Sequence, residues 1–125
     1  MEKAKNFQDL KVWKKSHELV LSIYTVTKTF PGEEKFGLVS QMRRATISVA
    51  ANIAEGFTKR GKKNKVNYYN IAQGSLQELR YYLLLAKDLK YIENNQRYLG
   101  AVDEIGRMLG GLINAVSNPT LTPNY

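Results

Sequence analysis

Apolar side chains recur every three or four residues through four long stretches of the chain, and this spacing constrains the fold more than any other feature. Residues three and four apart lie on one face of an α-helix, so the recurrence predicts amphipathic helices. No stretch shows the alternation, the β-branched clusters or the paired turn residues typical of a sheet. The sequence therefore predicts an all-α protein.

The spacing divides the chain into segments of roughly 20 to 28 residues, which as helices are about 30 to 42 Å long. The predicted helices are residues 9–29, a segment from the acidic pair Glu33 and Glu34 to Gly56, residues 63–90, and a segment from residues 93–95 to Asn118. Short connections make consecutive helices antiparallel. The predicted fold is an antiparallel up-down four-helix bundle over residues 1–118, with a frayed tail at residues 119–125.

The first and third predicted helices differ in how much apolar surface they carry. The buried face predicted for the first helix consists of Leu10, Trp13, His17, Val20, Tyr24 and Thr27. His17 is then a core or interface histidine with a satisfied ring. In the third helix, the predicted apolar seam consists of Tyr69, Ala72, Leu76, Leu79, Leu83 and Ala86. Further apolar or aromatic residues surround it, namely Tyr81, Tyr82, Leu84 and Leu85. The core of one bundle cannot cover apolar surface over so much of a helix's circumference. A subunit interface is the simplest explanation for the remaining apolar surface.

Glycines interrupt the fourth predicted helix at Gly106, Gly110 and Gly111. Each weakens a helix by roughly 1 kcal/mol relative to alanine. We interpret them as sites where another helix, from the same or another subunit, approaches closely.

A polar stripe runs beside the apolar face of the second predicted helix. It consists of Gln41, Arg44, Ser48, Asn52 and Glu55. These residue types can satisfy each other's hydrogen bonds when partly buried. If the second and third helices are antiparallel, Arg44 lies near Ser75 and within reach of Glu78. We favour a buried structural network of Arg44, Ser48, Asn52, Glu55 and Glu78 that sets the helix register, and a ligand site is the alternative.

Positive charge is concentrated between the second and third predicted helices. The chain has a formal net charge of +8, and residues 59–65 hold five basic residues and no acidic residue. These five residues, here called the basic turn, are Lys59, Arg60, Lys62, Lys63 and Lys65. A turn of this kind either keeps a protein soluble or binds phosphate groups.

Neighbouring side chains favour phosphate binding by the basic turn. The residues that follow, Asn64, Asn67, Tyr68 and Tyr69, offer amide and aromatic groups suited to unpaired bases. Arg43 lies about 100° around the helix from Arg44, and we predict that it faces outward as a further phosphate contact. The sequence therefore predicts nucleic-acid binding through Arg43 and the basic turn.

Enzyme chemistry finds little support in the residues. Residues 56–63 nearly spell a phosphate-binding P-loop, but Lys63 replaces the Ser or Thr that holds magnesium, and the segment follows a helix instead of a strand. A di-iron bundle needs Glu-x-x-His on two helices, and His17 is the only histidine. We predict no catalytic residue, no cofactor and no metal site.

The absence of cysteine excludes disulfides, thiolate zinc sites and cysteine nucleophiles, and fits a reducing cytosol. The longest apolar run, residues 81–86, is far shorter than the roughly 20 residues of a membrane-spanning helix. The start of the chain lacks the apolar core of a signal peptide. We therefore predict a cytoplasmic protein with no membrane partner.

Four motifs together resemble a known family. In chain order they are Phe7-x-Asp9-Leu10-x-Val12-Trp13, Phe30-Pro31-x-Glu33-Glu34-x-Phe36-Gly37-Leu38, Gln41-x-Arg43-Arg44-Ala45-x-x-Ser48-Val49-x-x-Asn52-Ile53-Ala54-Glu55-Gly56, and Ala72-x-Gly74-Ser75-Leu76-x-Glu78-Leu79. Over nearly its whole length the chain resembles the four-helix bundle proteins encoded in intervening sequences of 23S ribosomal RNA genes. Accessory proteins of diversity-generating retroelements are related to that family.

The resemblance implies a homopentamer of four-helix bundles arranged as a barrel with a basic surface, and it implies no defined reaction. In the retroelement branch, the related barrel contacts a reverse transcriptase and is thought to contact nucleic acid. The function predicted from the sequence is a non-enzymatic homo-oligomeric scaffold that binds RNA or DNA electrostatically. The alternative is a protein-protein adaptor, for example for a reverse transcriptase, that does not touch nucleic acid.

Overall fold

The computed structural model of the protein describes residues 4–118, and all regular structure within them is helical. The four long helices are α1 (Lys11–Thr27), α2 (Leu38–Thr58), α3 (Lys62–Asp88) and α4 (Gln96–Ser117). Two short 3-10 turns precede α1 and α2, at Phe7–Asp9 and Gly32–Glu34. The all-α prediction is confirmed, whereas the predicted tail at residues 119–125 lies outside the described residues.

The four helices enclose one core. Each helix lies beside the next along the chain, and α4 also lies beside α1, whereas the diagonal pairs have no Cα atoms within 8 Å of each other in residues 4–118. The largest side chains that are fully buried come from all four helices and include Ile23, Met42, Ile53, Tyr69, Leu76, Leu79, Leu83, Ile105 and Leu109. Apolar residues with the spacing of amphipathic helices therefore meet in this core.

The most buried face of α1 is shifted by about one residue from the predicted one. The buried residues of α1 are Val12, Ser16, Leu19, Ile23 and Thr27. Of the predicted face, Leu10 and Thr27 are buried, Trp13, Val20 and Tyr24 are half-buried, and His17 is exposed. Two stripes with the same spacing lie side by side on this helix, and the buried one contains Ser16, whose hydroxyl donates to the Val12 carbonyl at 2.7 Å. A serine whose hydroxyl bonds to its own helix can lie in the core. A prediction based only on residue polarity therefore placed Ser16 outside the buried face.

His17 is consequently exposed, and its prediction as a core histidine is wrong. Its ring stacks on the half-buried Trp13 with centroids 5.1 Å apart and an angle of 5° between the planes. Trp13 also meets Phe7 edge to face at 5.1 Å. An aromatic cluster therefore covers the outside of α1.

The second helix begins later than predicted, at Leu38, because the backbone at Gly37 (φ −111°, ψ −111°) is not helical. Glu34 nevertheless reaches the start of α2, since its Oε1 accepts a hydrogen bond from the Leu38 N–H at 3.3 Å. Its other oxygen accepts from the Tyr91 hydroxyl at 2.9 Å, which ties the α1–α2 loop to the α3–α4 loop. This hydrogen bond raises the pKa of Tyr91.

Gly106 and Gly110 of α4 do not mark close approaches within the chain. A Cβ on Gly106 would lie 3.7 Å from Gln73, an ordinary contact, and one on Gly110 would meet nothing within 4 Å. The part of the prediction that concerned helix approach inside one subunit is wrong for these two positions. What remains is a prediction about contacts between subunits.

A buried hydroxyl in α2 provides a test of the core. Thr46 is fully buried, and its hydroxyl has no hydrogen-bond partner among residues 4–118. Because an unsatisfied buried hydroxyl is unfavourable, we expect Thr46→Val to raise the free energy of unfolding by about 1 kcal/mol. Urea denaturation measures this change, and a variant less stable than the wild type would contradict it.

Thr27→Val is the matched control for that substitution. The Thr27 hydroxyl is also buried, but it donates to the Ile23 carbonyl at 2.6 Å and accepts from Arg43 at 3.0 Å. Losing these two bonds leaves polar partners unsatisfied, so this variant is expected to lose about 1 to 3 kcal/mol. The two Thr→Val changes should therefore have opposite signs.

Candidate nucleic-acid interface

The connection between α2 and α3 contains fewer residues than the basic stretch at residues 59–65. The first helix of the pair ends at Thr58 and the second begins at Lys62, so only Lys59, Arg60 and Gly61 connect them. Lys59 and Gly61 both have extended backbones. The last three members of the basic turn therefore belong to the first turn of α3.

Cations are unfavourable at the start of a helix. The first N–H groups of a helix carry partial positive charge, and nearby anions stabilise this end whereas cations destabilise it. In α3 the first turn has no acidic residue, and no side chain caps its N–H groups. The N-terminus of α3 therefore combines unpaired N–H donors with lysine ammonium groups. A bound anion would stabilise this arrangement.

Lys65 serves the fold and is not available to a ligand. Its Nζ donates hydrogen bonds to the carbonyl oxygens of Phe57 at 2.7 Å and Gly56 at 3.3 Å. These carbonyls belong to the last turn of α2, where acceptors lack the i+4 partner of a continuing helix, and the Gly56 carbonyl also accepts from the Lys59 N–H at 3.2 Å. Burial lowers the pKa of Lys65. This lysine closes the C-terminus of α2.

Lys59 is also partly engaged. Its ammonium group lies 3.7 Å from a carboxylate oxygen of Glu55 and 5.1 Å from the centre of the Tyr68 ring. Both contacts lie at the surface, so they weaken the charge of Lys59 without removing it. Glu55, which was predicted to join the polar network, instead pairs with the basic turn.

Three members of the basic turn remain free. Arg60, Lys62 and Lys63 are exposed, and none forms an ion pair or a side-chain hydrogen bond within residues 4–118. We call these three residues the exposed basic cluster. The amide side chains of Asn64, which follows Lys63 directly, and Asn67, about one turn further along, are exposed as well. This cluster is a surface suited to the phosphates of an extended polyanion.

The aromatic residues that follow the turn are less accessible than predicted. Tyr69 is only 1% exposed, and its burial raises the pKa of its hydroxyl to about 12. It cannot stack on a base without unfolding the bundle. Tyr68 is half-buried beneath the Lys59 ammonium. Base stacking at the turn is therefore limited to the exposed edge of Tyr68.

The outward orientation predicted for Arg43 is wrong. Its Nε donates to the Thr27 hydroxyl at 3.0 Å, one terminal nitrogen donates to the Tyr24 carbonyl at 3.4 Å, and the guanidinium lies 4.4 Å from the centre of the Tyr24 ring. Arg43 thus stabilises the C-terminus of α1, because the predicted outward direction is where α1 packs. It is also about 24 Å along α2 from Lys59, at 1.5 Å per residue.

Most of the predicted polar network comes together at the α2–α3 contact. Arg44 donates to Glu78 at 2.5 Å and to Gln41 at 3.0 Å. The hydroxyls of Ser48 and Ser75 are 2.8 Å apart. The Asn52 amide completes the chain by donating to the Ser48 carbonyl at 2.8 Å and the Ser48 hydroxyl at 3.0 Å.

The Arg44–Glu78 pair is not buried, contrary to the prediction. The two side chains are 50% and 45% exposed, and the hydrogen bond from Arg44 raises the pKa of that arginine. A pair this exposed contributes about 0 to 1 kcal/mol. Its role in setting the helix register stays a prediction.

Two further properties bear on function. Within residues 4–118, no group of three or more His, Cys, Asp or Glu side chains is arranged to hold a metal ion. No helix in this part of the chain is both long and apolar enough to cross a membrane.

Residues 8–111 match the family model described as 23S rRNA-intervening sequence protein. A crystal structure of a protein with unknown function from the S23 ribosomal protein family of Bacteroides thetaiotaomicron VPI-5482 is similar, with a TM-score of 0.73 and 27% identity. The similarity covers 82% of this chain and 97% of that one. A search of curated proteins found no match.

Proposed function

Because the chain belongs to the 23S rRNA-intervening sequence protein family, we propose for it a function that requires no catalytic site. The protein is a non-enzymatic homo-oligomeric scaffold that binds RNA or DNA electrostatically. Binding takes place at the exposed basic cluster, Arg60, Lys62 and Lys63. The proposed site keeps the predicted location. It leaves out Arg43 and Lys65, whose side chains bond within the fold, and Lys59, which pairs with Glu55.

One observation carries the proposal: three exposed cations without acidic partners lie at an uncapped helix N-terminus. Lysines in this position weaken α3, since they oppose its dipole. Solubility alone does not require such a placement, because charges anywhere on the surface would serve. A polyanion bound here neutralises the cluster and satisfies free N–H groups at the same time.

Self-association makes a weak individual site effective. We infer an antiparallel bundle, which the contacts of α2 with α3 support, since Arg44 meets Glu78 and Ser48 meets Ser75. We also infer that copies assemble, as a pentameric barrel if the family resemblance extends to assembly. Repeating the cluster on one particle lets several weak phosphate contacts act together on one strand.

The outer face of α3 supports assembly. Ile71 and Tyr81 on this face are 46% and 59% exposed. Gly74 lies between them in sequence, is exposed, and would accept a Cβ with nothing within 4 Å. A glycine in the middle of a helix costs about 1 kcal/mol relative to alanine, and nothing in the chain itself requires it. Close approach of another copy provides a reason.

The salt dependence of binding tests the proposed function. Three phosphate contacts to a single strand predict that log Kobs falls against log [NaCl] with a slope near −2 per protomer, from about −0.7 per contact. Fluorescence anisotropy of a labelled oligouridine 15-mer between 50 and 300 mM NaCl measures the slope. No detectable binding at 50 mM, or a slope near zero, would refute electrostatic binding.

The second candidate is a protein-protein adaptor, for example for a reverse transcriptase. The same apolar α3 face favours it, because exposed apolar surface of this kind marks protein contacts. An adaptor of this type does not bind the oligouridine probe. The salt titration therefore separates the two functions.

A further inference from the structure

Phe36 is the most exposed large apolar side chain in residues 4–118, at 88%. It lies in the loop between α1 and α2, with the Lys35 ammonium 5.4 Å from the centre of its ring. An aromatic residue so exposed contributes almost nothing to the packing of its own chain. Its use must therefore be sought outside the chain that carries it.

The loop that presents Phe36 is held rigidly. Backbone hydrogen bonds link Glu34 to Pro31 at 2.9 Å, Lys35 to Gly32 at 3.1 Å and Gly37 to Glu34 at 3.0 Å. The Glu34 side chain adds its bonds to α2 and to the α3–α4 loop. A rigidly held aromatic loses little conformational entropy when it is buried against a partner, which is typical of residues that dominate binding.

A groove on another surface of the protein fits such a side chain. It lies between α1 and α4 and has a volume of about 230 Å³. Its apolar lining is provided by Leu19, Ala101 and Ile105. A cavity of about 150 Å³ accommodates benzene, so this groove has room for a phenyl ring with its methylene group.

The charges around the ring and around the groove are complementary. Lys35 precedes Phe36, Glu33 lies three residues before it, and both side chains are exposed. In the groove, Lys15 and Glu104 pair with each other at 3.5 Å, whereas Glu18 and Arg97 are exposed and form no ion pair among the described residues. One acid and one base on each side can pair in a single docked arrangement, which favours a specific orientation.

Phe36 does not occupy the groove of its own chain, because 88% of its side chain is exposed and it is not among the residues that line the groove. We propose that Phe36 of one copy inserts into the α1–α4 groove of a second copy. This head-to-tail contact joins two different surfaces, so it generates a ring if it closes and a filament if it does not.

The local charge distinguishes this partner from a nucleic acid. Residues 28–37 contain two basic and two acidic residues, whereas residues 59–65 contain five basic residues and no acidic residue. The Phe36 loop therefore offers phosphates no net attraction. An apolar side chain surrounded by charges of both signs is typical of a protein interface.

The proposal deepens the homo-oligomeric part of the proposed function, and variants that remove one surface each test it. Phe36→Glu removes the inserted ring, and Glu18→Lys reverses a charge at the groove. Both side chains are exposed and lack partners that the fold requires, so both variants should keep the wild-type helix content by circular dichroism. We expect each to need at least ten times the wild-type concentration for half-assembly, as measured by analytical ultracentrifugation.

Mixing the two variants gives the decisive measurement. The intact groove of Phe36→Glu can receive the intact ring of Glu18→Lys, but neither can extend the chain further. We expect a species of two protomers, near twice the 14.2 kDa protomer mass, in the mixture only. Assembly of Phe36→Glu at wild-type concentrations, or a mixture that stays monomeric, would overturn the proposal.

RNA binding by each variant tests the nucleic-acid proposal separately. Binding of the oligouridine 15-mer to each variant reports on the exposed basic cluster, which neither substitution touches. Loss of assembly with residual, weaker RNA binding supports the contact proposed here. If Phe36→Glu assembles normally but loses RNA affinity, the ring is a base-stacking surface and the self-contact is refuted.

Discussion

Reversing the charge of Arg60, Lys62 and Lys63 to glutamate is expected to weaken RNA binding by at least about 50-fold at 0.15 M salt. Three phosphate contacts at about 0.7 released counterions each contribute this factor relative to 1 M salt. Glutamates at the same positions add repulsion, and an oligomer multiplies the loss. Anisotropy titration with the oligouridine 15-mer measures the ratio of dissociation constants between wild type and variant.

A matched triple variant separates location from net charge. Lys11, Lys14 and Lys28 are exposed and form no ion pair among the described residues, and all three lie outside the turn. Their replacement by glutamate changes the net charge by the same amount. We expect it to weaken binding by less than tenfold. Equal losses in the two variants would mean that RNA responds to total charge and that the turn is no specific site.

Gly56→Ala is expected to lower the free energy of unfolding by about 2 kcal/mol. The added Cβ would lie 2.6 Å from Cε1 and 2.9 Å from Cδ1 of Tyr69, closer than atoms in contact allow. Tyr69 is 1% exposed and has no space into which to withdraw. Overpacking of this kind costs about 1 to 3 kcal/mol, which exceeds the gain of up to about 1 kcal/mol from alanine in a helix.

Gly100→Ala is the matched control for that change. Gly100 is an exposed glycine in α4, and a Cβ there meets nothing within 4 Å. The same substitution should raise stability by about 1 kcal/mol, so the two variants differ by about 3 kcal/mol. Urea denaturation measures both. In a Tyr69→Leu background the Gly56→Ala penalty should shrink, and an undiminished penalty would exclude the contact with Tyr69 as its cause.

The helices were predictable because their signals are local. Spacing of three and four residues identified all four, and breakers such as Pro31 and Gly61 separated them. The choice between two adjacent stripes on α1 was not predictable in this way. Ser16 enters the core because its hydroxyl bonds to its own helix, and polarity alone does not reveal that bond.

The candidate site was predictable in location and not in composition. Five basic residues in seven positions identified the turn from the sequence. Which of them stay free depends on the neighbours that folding provides. Lys65 reaches the carbonyls at the end of α2, and Lys59 pairs with Glu55, whereas Arg43 turns towards the end of α1. The contacts of Lys65 and Arg43 exist only once two helices lie side by side, whereas Lys59 and Glu55 are four residues apart at the end of α2.

The sequence by itself determined four amphipathic helices and one concentrated positive turn, because periodicity and charge density are properties of neighbouring residues along the chain. Only the tertiary structure decided that three of the five cations remain exposed, that Gly56 lies against Tyr69, and that Phe36 protrudes from a rigid loop. The physical reason is that packing between helices decides which side chain reaches the carbonyls at a helix end and how much space remains beside a buried ring.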